Sequence, residues 1–103
     1  MSISGREIEI RTAAANSVTV TDVELVADLD DGRTISVPLA WFPRLEHGTP
    51  SERANWRLIT SGEGLHWPDL DEDISVVSLL VGRKSGEKPE SLRRWLQDRQ
   101  SAA

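Results

Sequence analysis

Six ionisable side chains fall close together in the chain: Glu63, His66, Asp69, Asp71, Glu72 and Asp73. The spacing Asp69-x-Asp71-x-Asp73 begins as a calcium loop begins, because a hard cation needs oxygen donors converging from alternate positions. Such a loop also needs glycine at its sixth position and a bidentate carboxylate at its twelfth. Those positions hold Ile74 and Leu80, so the pattern fails. A looser divalent-cation site using the acids and His66 stands as an alternative, and no metal or cofactor is assigned. The simpler reading is a turn at Pro68 followed by a helix over Ile74 to Val81. Asp73 is then its N-cap, and the other acids sit beside the positive end of the helix dipole.

His66 lies between Leu65 and Trp67 on a short predicted strand, which turns it away from both neighbours. General acid–base or nucleophilic catalysis would require an orienting carboxylate and a nucleophile within reach. No Gly-x-Ser-x-Gly elbow frames a serine, and Gly62-Glu63-Gly64 lacks the third glycine of a phosphate-binding loop. The chain has no cysteine, which removes thiolate nucleophiles, thiolate metal sites and disulfides. An enzyme is therefore not expected.

Tryptophan and arginine carry a different chemistry. A small sheet with thin helices cannot completely bury Trp41, Trp56, Trp67 and Trp95, and an exposed indole beside arginine has the composition of an interaction hot spot. Trp95 with Arg94 and Arg99 is the first such candidate, and Trp41 with Phe42 the second.

The elements that must position these residues are short. Val23, Leu25, Ala27 and Leu29 alternate along a strand read from Val18 to Leu29, and Ile35, Val37 and Leu39 along the next. Parity decides the turn between them. A two-residue loop would oppose Asp28 to Ile35, whereas a three-residue loop opposes Ala27 to Ile35, Leu25 to Val37 and Val23 to Leu39. A type I turn with a G1 bulge follows, with Gly32 in the left-handed conformation. Pro38 ends the ladder, and one helical turn stops at Gly48. Thr49-Pro50-Ser51-Glu52 is a capping box with proline at the first helical position. Trp56 to Thr60 and Leu65 to Trp67 form a second hairpin, in which Leu58 faces Leu65 if the loop is even and Ile59 takes its place if odd. Gly82 ends the helix over Ile74 to Val81. A last helix, roughly Pro89 to Gln100, aligns Leu92, Trp95, Leu96 and Arg99 on one narrow stripe.

One hundred and three residues suffice for one domain and no more. The net charge of −5 divides unevenly: residues 1 to 81 hold −8, and residues 82 to 103 hold +3 from six bases against three acids. An acidic body disfavours non-specific nucleic-acid binding. The basic end either lies solvated, docks on its own acidic body or binds a partner. No apolar run approaches the roughly 20 residues that span a bilayer, and the N-terminus carries no apolar secretion segment, so a cytoplasmic location is expected.

Asp31-Gly32-Arg33, the segment Trp41-Phe42-Pro43-Arg44-Leu45, the stretch Asn55-Trp56-Arg57-Leu58-Ile59 and the block from Gly62 to Ser75 together resemble the bacterial domain of unknown function 2442 family, over about residues 18–82. The resemblance implies a small α+β domain with an antiparallel sheet and short helices. It also implies that some relatives carry an extra helix-turn-helix module and that some are encoded beside a small partner in a toxin–antitoxin-like arrangement. Where those longer relatives carry that module, this chain has a short basic helix, and their DNA-binding role is not expected to carry over.

The expectations are therefore an α+β fold, with a small antiparallel sheet built from hairpins and packed with short helices and a C-terminal helix. Residues 1–17 are an N-terminal segment readable as an edge strand through Ile8 and Ile10, 18–82 the domain, and 83–103 a basic helical extension. The expected function is a non-enzymatic protein-interaction or regulatory domain, the antitoxin-like half of a two-protein system. Its partner-binding residues are Trp95, Leu92, Leu96, Arg94, Arg99, Trp41 and Phe42; Gly32, Thr49 and Gly82 are structural. A homo-oligomer is compatible with this, whereas membrane and nucleic-acid partners are not expected. The alternatives are an enzyme using His66 with Glu63, Asp69, Asp71 and Asp73, and a nucleic-acid-binding regulator using the basic helix.

Overall fold

The computed structural model describes residues 13–102, so the strand expected through Ile8 and Ile10 lies outside the described residues. The first sheet contains β1 (Ala15–Val20), β2 (Glu24–Leu29) and β3 (Thr34–Pro38), antiparallel and in chain order. The β2–β3 register opposes Ala27 to Ile35 and Leu25 to Val37, as parity requires. Gly32 has φ +93°, and the Leu29 amide donates to the Arg33 carbonyl at 2.8 Å to close the loop.

The strand read as continuous from Val18 to Leu29 is instead a hairpin. Thr21 Oγ1 accepts from the amides of Val23 at 3.2 Å and Glu24 at 3.0 Å, giving the backbone a local alternative to the ladder. The chain reverses there, β1 pairs with β2, and Val18 lies opposite Ala27. Val23 therefore stands 73% exposed at the turn instead of facing the core.

Pro38 ends β3, and Leu39–Trp41 form a 3-10 turn. Two short helices follow, α1 (Pro43–Glu46) and α2 (Pro50–Ala54). Thr49 makes the expected capping box: Oγ1 accepts from the Glu52 amide at 3.1 Å, and Glu52 Oε1 accepts from the Thr49 amide at 2.9 Å. Arg53 is buried, although no apolar pattern marks its position. Its guanidinium donates to the carbonyls of Leu45 at 2.8 Å and Glu46 at 2.7 Å, which closes the C-terminal end of α1, and to Asp22 at 3.0 Å.

The second sheet holds β4 (Arg57–Ile59), β5 (Gly64–Trp67) and β6 (Glu72–Ser75) in chain order. Leu58 lies opposite Leu65, the even-loop register. β6 overturns the assignment of Asp73 as a helix cap. Strand alternation continues through it, with Ile74 buried opposite Leu65 and Asp73 exposed opposite His66. The N-cap is Ser75, whose hydroxyl accepts from the Ser78 amide at 3.1 Å, and α3 runs Val76–Leu80. Its buried residues are Val76 and Leu79, not the expected stripe of Ile74, Val77 and Val81; the last two are 43% and 62% exposed. Gly82 (φ +73°) ends α3 as expected, with its amide donating to Leu79. The C-terminal helix α4 spans Pro89–Ala102.

Both sheets contribute to one core, in which Leu25, Leu39, Leu45, Leu65, Trp67, Leu70 and Val76 are sealed from solvent. The Trp67 indole N–H meets its need for an acceptor at the Arg53 carbonyl, 3.0 Å away. The fold is α+β, with the hairpins gathered into two three-stranded sheets.

Candidate functional site

The acidic string does not converge. Asp69 accepts from the Asn55 side-chain amide at 2.9 Å, Asp71 sits 3.6 Å from Arg44, and Asp73 faces His66. Glu63 is exposed, and its contribution is a backbone carbonyl that accepts the Val76 amide at 2.9 Å. Among the described residues, no three histidine or carboxylate groups are placed to hold a metal ion. The physical reason is the turn ahead of β6: Asp69 and Asp71 lie in it, Asp71 at φ +49°, and only Glu72 and Asp73 stand in the strand, on opposite faces. His66 and Asp73 share a face as a cross-strand pair, Nδ1 lying 2.5 Å from Oδ1. A carboxylate placed so fixes the orientation of an imidazole, which is one of the requirements of acid–base chemistry. Ser75, on the same face, commits its hydroxyl to α3 and to Ser78 Oγ at 2.7 Å.

Glu72 points to the other face, toward the core side. Burial pushes its carboxyl up to about 7, aided by the negative charges of Glu87 and Asp73 and opposed by Arg44. It lines an open cleft of about 480 Å³ between β6, Arg44 and the 83–87 segment, with Arg83, Lys84, Ser85 and Glu87 on the far wall.

Arg44 joins this cleft to α4. Its Nε donates a close hydrogen bond to Glu87, its Nη1 reaches the carbonyls of Leu70 and Asp71, and its guanidinium lies 5.0 Å from the centre of the Trp95 ring. Arg99 lies 4.6 Å from the same ring, so one indole meets two guanidiniums within cation–π range. Arg99 also forks onto Glu52 at 3.1 and 2.8 Å, the carboxylate that closes the α2 capping box. The fork to Arg99, with the Thr49 amide, holds Glu52 below the usual carboxylate range, and the pairing raises Arg99. Glu87 is likewise lowered, by hydrogen bonds from Ser91 and Arg44.

Of the sequence candidates, Leu92, Trp95, Leu96 and Arg99 are half-buried along one side of α4, and Trp95 packs against the core. Arg94 is exposed on the outer face with Arg93. Trp41 is half-exposed, with the Lys84 ammonium 5.6 Å from its ring centre. Phe42 is corrected: it is a buried core residue, turned inward where Trp41 is turned out. The sequence marks Glu72 only as one of the acidic string, Glu52 only as half of a capping box, and Glu87 not at all as a site residue, nor Arg44 beyond the family resemblance. The ion pairs Arg44–Glu87 and Arg99–Glu52 join positions 43 and 47 residues apart, a separation at which charge spacing carries no signal.

Fold and site define a small α+β domain of two three-stranded antiparallel sheets with a guanidinium–indole cluster under its last helix. The chain belongs to the family described as protein of unknown function (DUF2442), whose model matches residues 15–85, slightly beyond the span of the resemblance on both sides. Two solved structures are similar. A protein of unknown function from Rhodospirillum rubrum has a TM-score of 0.64 at 24% identity, with 75% of this chain and 95% of that one covered. An uncharacterised protein from Chromobacterium violaceum, solved by solution NMR, has a TM-score of 0.63 at 23% identity, covering 82% and 78%. These likenesses show the fold. No curated protein matches the chain. Among the described residues, no helix is long and apolar enough to cross a membrane.

Proposed function

We propose that this chain is a non-enzymatic interaction domain that presents residues 83–99 to an acidic protein partner, as the regulatory or antitoxin-like half of a two-protein system. One observation carries this reading. Arg83, Lys84, Lys88, Arg93 and Arg94 are exposed and pair with no acid among the described residues, and they adjoin the half-exposed Trp41 and Trp95. Arginine beside a partly exposed indole is the composition of binding hot spots, and a basic rim speeds encounter with an acidic surface.

The test is affinity capture from native lysate, with the wild-type chain compared against Arg93→Glu/Arg94→Glu and the retained proteins identified by mass spectrometry. An acidic protein held by the wild type and lost by the variant supports the reading. Identical capture by both chains, or retention only of nucleic acid that nuclease removes, overturns it. Acid–base chemistry at His66 is a second reading, favoured by the short contact to Asp73. In its metal-dependent form it predicts a saturable heat on calorimetric titration with divalent ions, and a featureless titration removes that form.

A further inference from the structure

We propose that α4 is a displaceable latch, closed on its own domain by two guanidinium–carboxylate clasps, Arg44–Glu87 and Arg99–Glu52, and opening as a unit while the two sheets stay folded. The proposal rests on the reading of residues 83–99 as the partner-facing element and adds its regulation: the Trp95 stripe is covered until the clasps exchange their carboxylates for those of an acidic partner.

The attachment of α4 is of an unusual kind for a terminal helix. The last backbone hydrogen bond that ties this end of the chain to the body, among the described residues, is from the Ser85 amide to the Trp41 carbonyl at 3.0 Å. Beyond it the helix is held by side chains. Leu92, Trp95 and Leu96 are each only half-buried, so the apolar contribution is small beside that of a core helix. The remainder is charge. Glu87 meets Arg44 at one end of α4, and Arg99 meets Glu52 near the other, with Trp95 between the two guanidiniums.

The two sides of each clasp come from different bodies. Arg44 and Glu52 belong to the α1–α2 region, while Glu87 and Arg99 travel with α4. Opening therefore breaks both ion pairs but no backbone ladder, and it pivots at Gly86, just beyond the Ser85 amide's bond to Trp41 and with open space where a Cβ would stand. A helix of this length is marginal alone, so a partner must supply the face that the body surrenders. Each clasp is partly exposed to water, which makes the closed state sensitive to salt.

The experiment is hydrogen exchange of the full chain, read peptide by peptide, at low and high salt and in the variant Glu52→Gln/Glu87→Gln. Glutamine at position 52 keeps the capping box, so α2 is not the target of the change. The expected result is exchange in residues 89–102 accelerated about tenfold by salt or by the substitutions, as two partly screened ion pairs allow, with β2 and β5 unchanged. Exchange in 89–102 that tracks the core under all conditions, or that ignores both salt and substitution, overturns the latch. Poly-L-glutamate serves as the acidic probe. Binding of it with α4 still protected overturns the latch but not the partner-facing surface. A salt-opened α4 with no poly-L-glutamate binding keeps the latch and overturns the acidic partner.

Discussion

At the scale of single residues, four charged side chains bear on stability through contacts that only the fold brings together. Glu72 keeps its proton more tightly folded than unfolded, with its carboxyl raised from 4.5 to about 7. The native state binds the extra proton across that window, so Glu72 costs stability as pH rises through it. Glu52 and Glu87 act in the opposite sense. Their lowered carboxyls stabilise above the ordinary carboxylate range, and that contribution is lost as pH falls through it. Glu72→Gln should therefore gain about 1–2 kcal/mol at pH 8 relative to pH 5, after allowance for solvent screening, in urea denaturation at the two pH values. Arg53→Ala should cost about 2–4 kcal/mol in the same assay, because the Leu45 and Glu46 carbonyls and Asp22 lose their donor together.

At the scale of elements, local signals were legible where they compete with nothing distant. The capping box at Thr49, the three-residue turn at Gly32 and the helix stop at Gly82 all follow from backbone chemistry within a few residues. The errors fall where two local solutions are close in energy. Thr21 reverses the chain through its own hydroxyl, and Asp73 serves equally as a cap or a strand residue until β5 offers it a partner. Ser75→Ala should thus cost about 1 kcal/mol of thermal or chemical stability, and Asp73→Ala should leave the α3 terminus intact. Gly62 is another element-scale determinant. Its φ is +87°, and a Cβ there would lie 2.8 Å from the Ala15 carbonyl oxygen, where the turn of the second sheet abuts the first strand of the other. Gly62→Ala should destabilise by about 2–3 kcal/mol, visible as a lower urea midpoint with an unchanged m-value.

At the scale of the whole molecule, the latch predicts that the domain and its last helix separate in energy. None of the fully sealed core side chains comes from beyond Val76, and α4 adds to the core only the half-buried Trp95 packed against it. A chain ending at residue 88 should retain cooperative unfolding, with Tm lower by only a few degrees, as loss of about 1 kcal/mol at this size implies. Non-cooperative melting of that truncation would assign α4 to the core. The charge division of the chain acquires a geometry here: the basic end lies against the acidic body through Glu52 on one side and keeps Arg93 and Arg94 outward on the other.

By itself the sequence determined the α+β class, the β2–β3 register, the Thr49 capping box, the Gly82 stop and the apolar stripe of the last helix, because each depends on period, parity or hydrogen bonds between near neighbours. Only the tertiary structure decided that Asp69, Asp71 and Asp73 scatter, that Phe42 is core, and that Trp95 lies between Arg44 and Arg99. The reason is physical. Whether distant charges meet depends on how two sheets and a helix pack, and packing is set by burial summed over the whole chain, to which no spacing along one segment gives access.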